Sequence, residues 1–260
     1  MQQQNFDTYA QIYDNHFTNS LIGIAQRLQV HQKFLKLLSL QNKSVLEINC
    51  GTGEDAMWLS KTASIVTATD ISQGMIDVAK RKTSNNTVDF KQLPAQDISL
   101  LAPNTYNIIF SNFGGINCLN NEDLQKFKSG CEQVQKSSDQ LAFVIMGTNC
   151  KWENFFFKYK NEVIKANRRR NKDGVEAIIN GNHFKTYYYS PADMKQLFKE
   201  NYNYISAKPI GLFVPPSYLE SYVVKRKGLF GFLKLLDNLF GHFSFLSNYA
   251  DHYLIVFEKK

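Results

Sequence analysis

The chain carries few of the features that would take it away from an ordinary α/β enzyme. Its cysteines number four in 260 residues, and Cys50, Cys118, Cys131 and Cys150 form no C-x-x-C pair. That excludes a zinc-finger spacing and gives no disulfide framework, so they read as reduced thiols of a cytoplasmic protein with no metal bound. The opening stretch, MQQQNFDTYAQIYDNHF, has neither a basic n-region nor an apolar h-region, and no apolar run approaches the length of a spanning helix. A soluble protein is expected. No repeat or low-complexity tract interrupts the first 150 residues. The glycine-rich turn after the first apolar run reads N-C-G-T-G-E-D, without the G-K-[ST] of a phosphate loop or the third glycine of a dinucleotide fingerprint.

Charge is moderately positive at +7, and much of the excess collects in KYKNEVIKANRRRNK, Lys158 to Lys172. A run of this kind reads first as a solvated helical face, with nucleic acid or another acidic partner as the alternative.

What is present in the first 150 residues is an alternation of short β-branched runs with helix-period segments, the rhythm of βαβ units around a parallel sheet. Strands are expected at 44–49, 64–70, 87–93, 106–112 and 141–147, with helices at 54–61, 73–81 and 122–136 between them. Ser72, and Asn120 or Asn121, stand where N-caps belong. Upstream, Phe6, Tyr9, Ala10, Tyr13 and Phe17 recur at helical spacing and predict an amphipathic helix across the sheet's edge or mouth.

The turn after the first strand, VLEINCGTGED, exposes backbone N–H groups where a ligand can approach without meeting a Cβ. Asp70 closes the second strand about twenty residues later, the spacing at which a carboxylate accepts hydrogen bonds from both ribose hydroxyls. A nucleoside site follows. Glu47, Glu54 and Asp55 crowd the turn with negative charge, which disfavours phosphates and suits a ligand positively charged near its ribose.

VLEINCGTG followed by ATD resembles the first two motifs of the class I S-adenosylmethionine-dependent methyltransferases, over roughly residues 40 to 150. The resemblance implies a Rossmann-like, seven-stranded, mostly parallel α/β sheet with helices on both faces, and S-adenosylmethionine as cofactor. It also implies roles. Glu47, Asn49, Gly51 and Gly53 occupy the turn that lines the methionine part, Asp70 the ribose acid and Ile71 the apolar residue against adenine; Ala95, Gln96 and Asp97 fall in the loop that reads the adenine edge. Asn112 and Phe113, at the end of strand four, face the methionine moiety and the methyl group, and Tyr13 reaches the cofactor from the N-terminal helix. Asn49 departs from the family's usual glycine and Pro94 from its usual adenine contact. Asn tolerates left-handed backbone, so the turn survives the first change.

The expected organisation is a single domain with a helical lid at 1–40, the cofactor-binding core at 41–150, a substrate-covering insertion at 151–190 and the rest of the core at 191–260. An Asn180-Gly181 turn predicts a hairpin in the insertion. Ser190 and Pro191 open a helix that leads to strand six, and Asp251 to Lys259 form a last, antiparallel strand expected at one sheet edge. Within 212–247, Leu229, Phe232, Leu233, Leu236, Leu239, Phe240 and Phe243 share one helical face. Three readings stand for it: packing on the core, a wall of an acceptor pocket, or contact with a membrane surface through nearby Lys225, Arg226, Lys227 and Lys234.

Methyl transfer from a sulfonium is a direct displacement, so alignment and water exclusion carry the catalysis, and a hydroxyl acceptor adds the need for a base. His16 and His183 are the candidates for it. The expectation is methyl transfer to the oxygen of a hydrophobic small molecule; the alternatives are an RNA methyltransferase using Arg168 to Arg170, and a catalytically silent cofactor-binding protein.

Overall fold

The computed structural model describes residues 7, 10–83, 87–179 and 182–260, without the side chains of residues 12, 15, 16, 178, 179, 182 and 183. Phe6, Tyr9 and the Asn180-Gly181 turn lie outside the described residues, as do the side chains of His16 and His183.

The five early strands are β1 (Ser44–Ile48), β2 (Ile65–Asp70), β3 (Val88–Gln92), β4 (Ile108–Ser111) and β5 (Gln140–Met146), all parallel. After β5 the chain makes a separate hairpin of β6 (Val175–Ile179) and β7 (Asn182–Thr186), then returns as β8 (Tyr202–Ile210) and β9 (His252–Lys259). The main sheet has seven strands in the order β3-β2-β1-β4-β5-β9-β8. The last strand is antiparallel as expected, but it lies between β5 and β8, and β8 forms the edge.

Strand residues alternate between two cores because both faces of the sheet are covered, which is why these runs read as almost continuously apolar. Leu46, Ile109, Phe143 and Phe257 point to one face, under helices Asn121–Val134 and Pro191–Phe198. Val45, Ile108, Val144 and Val256 point to the other, under helix Leu21–Leu37, which inserts Val30 and Phe34. Of the 1–40 segment read as a lid, then, the longer helix is part of the core. The part before it is Ala10–Tyr13, continued by a π-helical turn at Asp14–Thr18.

Helix starts sit where short polar residues compete for the first free N–H groups. Met75 N–H donates to Ser72 Oγ at 3.1 Å, Asp123 N–H to Asn120 Oδ1 at 2.9 Å and Asp193 N–H to Ser190 Oγ at 3.2 Å, the last within a capping box preceding Pro191.

Candidate active site

Strand order reverses beside β1, which has β2 on one side and β4 on the other, and ligands of open α/β sheets sit beyond the strand ends at such a point. A cavity of about 560 Å³ opens there. The ends of β1, β2 and β4 supply Glu47, Asn49, Gly51, Asp70, Ile71, Asn112 and Phe113 to its wall; Ala95 and Gln96 come from the loop after β3 and Tyr13 from the N-terminal segment. Ten of the twelve cofactor-side residues read from the sequence therefore share one cavity.

Gly53 and Asp97 are the two that do not line it. Gly53 backs onto the helix that follows β2. A Cβ there would lie 2.9 Å from Ala79 Cβ and 3.1 Å from the Phe90 ring, so glycine serves helix-to-sheet packing rather than ligand access. Asp97 is the third residue of the Ala95–Leu100 3₁₀ helix, next after Gln96, and stays off the cavity wall. Gly51 is the opposite of Gly53: φ is +53°, and nothing lies within 4 Å of an added Cβ. Gly51→Ala is expected to cost about 1 kcal/mol of stability for the left-handed backbone and to weaken ligand binding by filling the cavity edge. Gly53→Ala is expected to cost about 2 kcal/mol through overpacking. Thermal unfolding and ligand titration of the two variants separate these outcomes.

The turn keeps its shape despite Asn49, which takes φ 55° as a glycine would. Phe113 also has positive φ, 43°, an uncommon conformation for a bulky residue and one that clusters at binding sites.

Asp70 accepts from Gly51 N–H at 2.9 Å and from Ser72 N–H at 2.9 Å. Burial outweighs those bonds and pushes its carboxyl up to about 6. The three acids at the turn divide sharply. Glu54 pairs with Lys82. Asp55 accepts from His31 Nε2 at 2.7 Å, Asn112 Nδ2 at 3.0 Å and Arg27 Nε at 3.3 Å. Although burial alone would raise it, Arg27 and His31 hold Asp55 below the usual carboxylate range. Glu47 alone of the three stays uncompensated: one of its carboxylate oxygens has no hydrogen-bond partner among the described residues. Burial, reinforced by the charge on Asp55, pushes it well above the usual range.

The N-terminal segment is tied across this end of the cavity. Thr52 Oγ1 donates to Asp14 Oδ1 at 2.6 Å and Lys82 Nζ to Asp14 Oδ2 at 2.8 Å, while Gly74 N–H donates to Asp7 Oδ1 at 2.8 Å.

The far wall comes from the chain after β5, with Arg168, Arg169, Ala177, Phe184, Tyr188, Tyr218, Asp251 and His252. Arg168 grips Glu153 with Nε at 2.7 Å and Nη2 at 3.1 Å. Arg169 donates to Glu153 at 3.0 Å and to the Asp251 carboxylate at 2.7 Å. Two of the three arginines of the basic run thus neutralise buried acids, and only Arg170 is exposed. Of the run's cations, Lys158, Lys160, Lys165, Arg170 and Lys172 stay at the surface, while the pair Arg168 and Arg169 faces inward.

His252 was not among the histidines singled out from the sequence. As the first residue of the antiparallel β9, it stands opposite Met146, at the same end of the sheet where the parallel strands finish. Its Nδ1 lies 3.2 Å from Asp251 Oδ2, and its ring meets Phe113 edge-on at 5.5 Å between centroids. Burial would raise the Asp251 carboxyl, but His252 and Arg169 hold it well below the usual range. His183 contributes backbone to the β6–β7 hairpin, where it pairs with Ile178. The cysteines offer no nucleophile: burial pushes Cys118 and Cys150 up to about 12, and Cys50 and Cys131 well above their ordinary value.

A parallel sheet of this order, continued by an antiparallel strand and carrying a glycine turn and an acid-tipped second strand on one cavity, is the architecture of a class I S-adenosylmethionine-dependent methyltransferase. Residues 45–138 match the model of a methyltransferase domain family. Over 118 residues it is 29% identical to the ubiquinone biosynthesis O-methyltransferase of Coxiella burnetii, covering 44% of this chain and 48% of that one. Over 115 residues it is 30% identical to the malonyl-[acyl-carrier protein] O-methyltransferase of Priestia megaterium, covering 42% of this chain and 39% of that one. The match thus spans less than half the length of either relative. A putative S-adenosylmethionine-dependent methyltransferase from Listeria monocytogenes has the same fold, with a TM-score of 0.59 at 18% identity over 89% of this chain and 96% of that one.

Among the described residues, no helix is long and apolar enough to cross a membrane.

Proposed function

We propose that this protein transfers a methyl group from S-adenosylmethionine to a hydroxyl of a small, partly hydrophobic acceptor. The observation that carries the reading is the single cavity with two unlike ends, one bounded by Glu47, Gly51 and Asp70 and the other by His252, Asp251 and Tyr188.

The residues of the first end fit the cofactor. Glu47 is a buried acid with an unpaired oxygen, the partner a cationic amino-acid tail requires. Gly51 gives access to the backbone, and Asp70 is placed to accept from a sugar diol. Ile71, Pro94 and Ala95 offer an apolar edge for a base. Bound there, S-adenosylmethionine supplies an electrophilic methyl group on a sulfonium.

At the second end the protein's own task is to place an acceptor oxygen and take its proton. His252 Nδ1 makes no hydrogen bond among the described residues, but the Asp251 carboxylate 3.2 Å away favours a proton there and leaves Nε2 as the accepting nitrogen. Phe17, Phe113, Phe184 and Met146 give an apolar surround that excludes water. Phe17 and Phe113 pack edge to face at 5.1 Å, joining the N-terminal segment to the end of β4 as part of a cover. The acids and arginines on the far wall are already paired with each other, so this surround favours a neutral acceptor over a charged one. The O-methyltransferase activity in the names of both curated relatives supports oxygen as the attacking atom.

Calorimetric titration with S-adenosylmethionine, followed by labelled methyl transfer to a panel of hydroxylated aromatic and acyl compounds, tests this. Saturable binding with transfer to a hydroxyl is expected. Transfer to RNA, or tight binding with no transfer to any acceptor, contradicts it.

A further inference from the structure

The apolar face on helix Lys227–Phe240 has no role in the site described above, since none of its residues lines the cavity. Nor does it pack on the core. The helix buries Phe230 and Asp237, and the face itself turns outward, with Leu229 at 54%, Phe232 at 56%, Leu235 at 52% and Leu239 at 54% exposure. At three- and four-residue spacing these fall, with Leu236 and Phe240, in one stripe that contains no charged side chain. Beyond the helix, Phe243 and Phe245 extend it.

Charge around the stripe is of one sign. Between residues 217 and 249 the sequence has two acids, Glu220 and Asp237. Glu220 accepts from the N–H groups of Leu21 at 2.7 Å and Ile22 at 3.0 Å. Asp237 accepts from Leu212 at 2.9 Å, Phe213 at 3.1 Å and Val214 at 2.7 Å, and from Gln29 Nε2 at 3.1 Å. Asp237 is thereby spent holding this helix to the body of the protein, and Glu220 holding the short helix Glu220–Val224 before it. The charges of that stretch left at the surface are Lys225, Arg226, Lys227 and Lys234, all exposed.

We propose that this helix docks on an anionic lipid surface, the apolar stripe entering the headgroup boundary and the four cations meeting lipid phosphates. An exposed stripe this continuous marks an interaction surface, and cations bordering aromatic and leucine side chains are the composition of an interfacial helix. A second copy of the chain fits less well, because two-fold pairing of the stripe sets like charges against each other with no exposed acid in the segment to answer them. The 212–247 segment that carries this helix also reaches the cavity wall, with Pro216, Ser217 and Tyr218, so docking puts the proposed acceptor end of the cavity near the lipid. The docking proposal stands apart from the methyl-transfer reading, and its test needs no turnover.

The test is co-sedimentation of the full chain with phosphatidylcholine vesicles, with and without an equal share of phosphatidylglycerol. Binding to the mixed vesicles only, weakened by salt, is expected. Lys225→Gln with Lys227→Gln is expected to weaken it about thirtyfold, and Phe232→Asp with Leu239→Asp to abolish it while the thermal midpoint holds. Phe232→Trp, a change at an exposed site, is expected to shift its emission to the blue on the mixed vesicles. Equal retention on both vesicle types, retention that survives the paired Asp variant, or a concentration-dependent dimer lost in that variant each overturns the proposal.

Discussion

Replacing Asp70 by alanine is expected to weaken S-adenosylhomocysteine binding about a hundredfold, because a buried carboxylate that accepts from two hydroxyls is worth about 3 kcal/mol in total. Asp70 lies at the tip of β2 with one oxygen bound by Gly51 N–H and the other by Ser72 N–H, which fixes the carboxyl plane before a ligand arrives. The wild-type protein carries its own pH signature. Sugar hydroxyls donate to the ionised form, and burial has moved the Asp70 carboxyl up to about 6. Affinity is therefore full above that value and falls as the pH drops through it. Stability of the unliganded protein runs the other way. A raised acid disfavours the fold while ionised, so its penalty is present above about pH 6 and is relieved between there and about pH 4, where the unfolded acid titrates. Asp70→Asn removes both dependences, keeping an oxygen for one of the two N–H groups and turning its amide nitrogen toward the other. Calorimetry and thermal unfolding across that range check the sign of each. An alanine variant with unchanged affinity refutes the ribose assignment.

The second large effect is at His252. Its alanine variant is expected to lose a factor of about 100 to 10,000 in turnover while S-adenosylhomocysteine affinity stays the same. Loss of packing alone would lower turnover for every acceptor alike. Loss of a base is selective: the deficit shrinks as the acceptor hydroxyl becomes more acidic, because an already ionised oxygen needs no proton removed. Assay of wild type and variant on a series of phenols of graded acidity is the measurement. A deficit that does not vary along the series reduces His252 to a positioning residue beside Phe113, which its ring meets at 5.5 Å.

The end of the cavity where we place the cofactor was legible in the sequence because its parts are local. A strand, a glycine turn and an acid after the next strand are read off spacing alone, and Gly51, Asp70 and Asn112 lie in one cavity. Spacing could not separate Gly51 from Gly53. Both take positive φ, but only the neighbours decide which borders a ligand and which presses on Phe90. The end we propose for the acceptor was hidden for a different reason. His252 and Asp251 arrive from the far end of the chain through strand order, and a histidine opening an antiparallel strand has no pattern of its own. The signal that existed was direction: an antiparallel last strand must begin where the parallel ones stop. Arg168 and Arg169 looked like surface because their partner, Glu153, lies in another helix fifteen residues upstream. Periodicity likewise gave the apolar stripe of 227–240 but not what covers it, since a 3.6-residue repeat is the same whether the face meets a core, a pocket or solvent.

A crystal structure with S-adenosylhomocysteine tests the central claim most directly. The expected result places the sugar diol on Asp70, the amino-acid tail at Glu47 beside Gly51 and the sulfur toward the Phe113 and His252 side of the same cavity. Ligand bound elsewhere, or a cavity that stays closed by the protein's own side chains at saturating ligand, contradicts it.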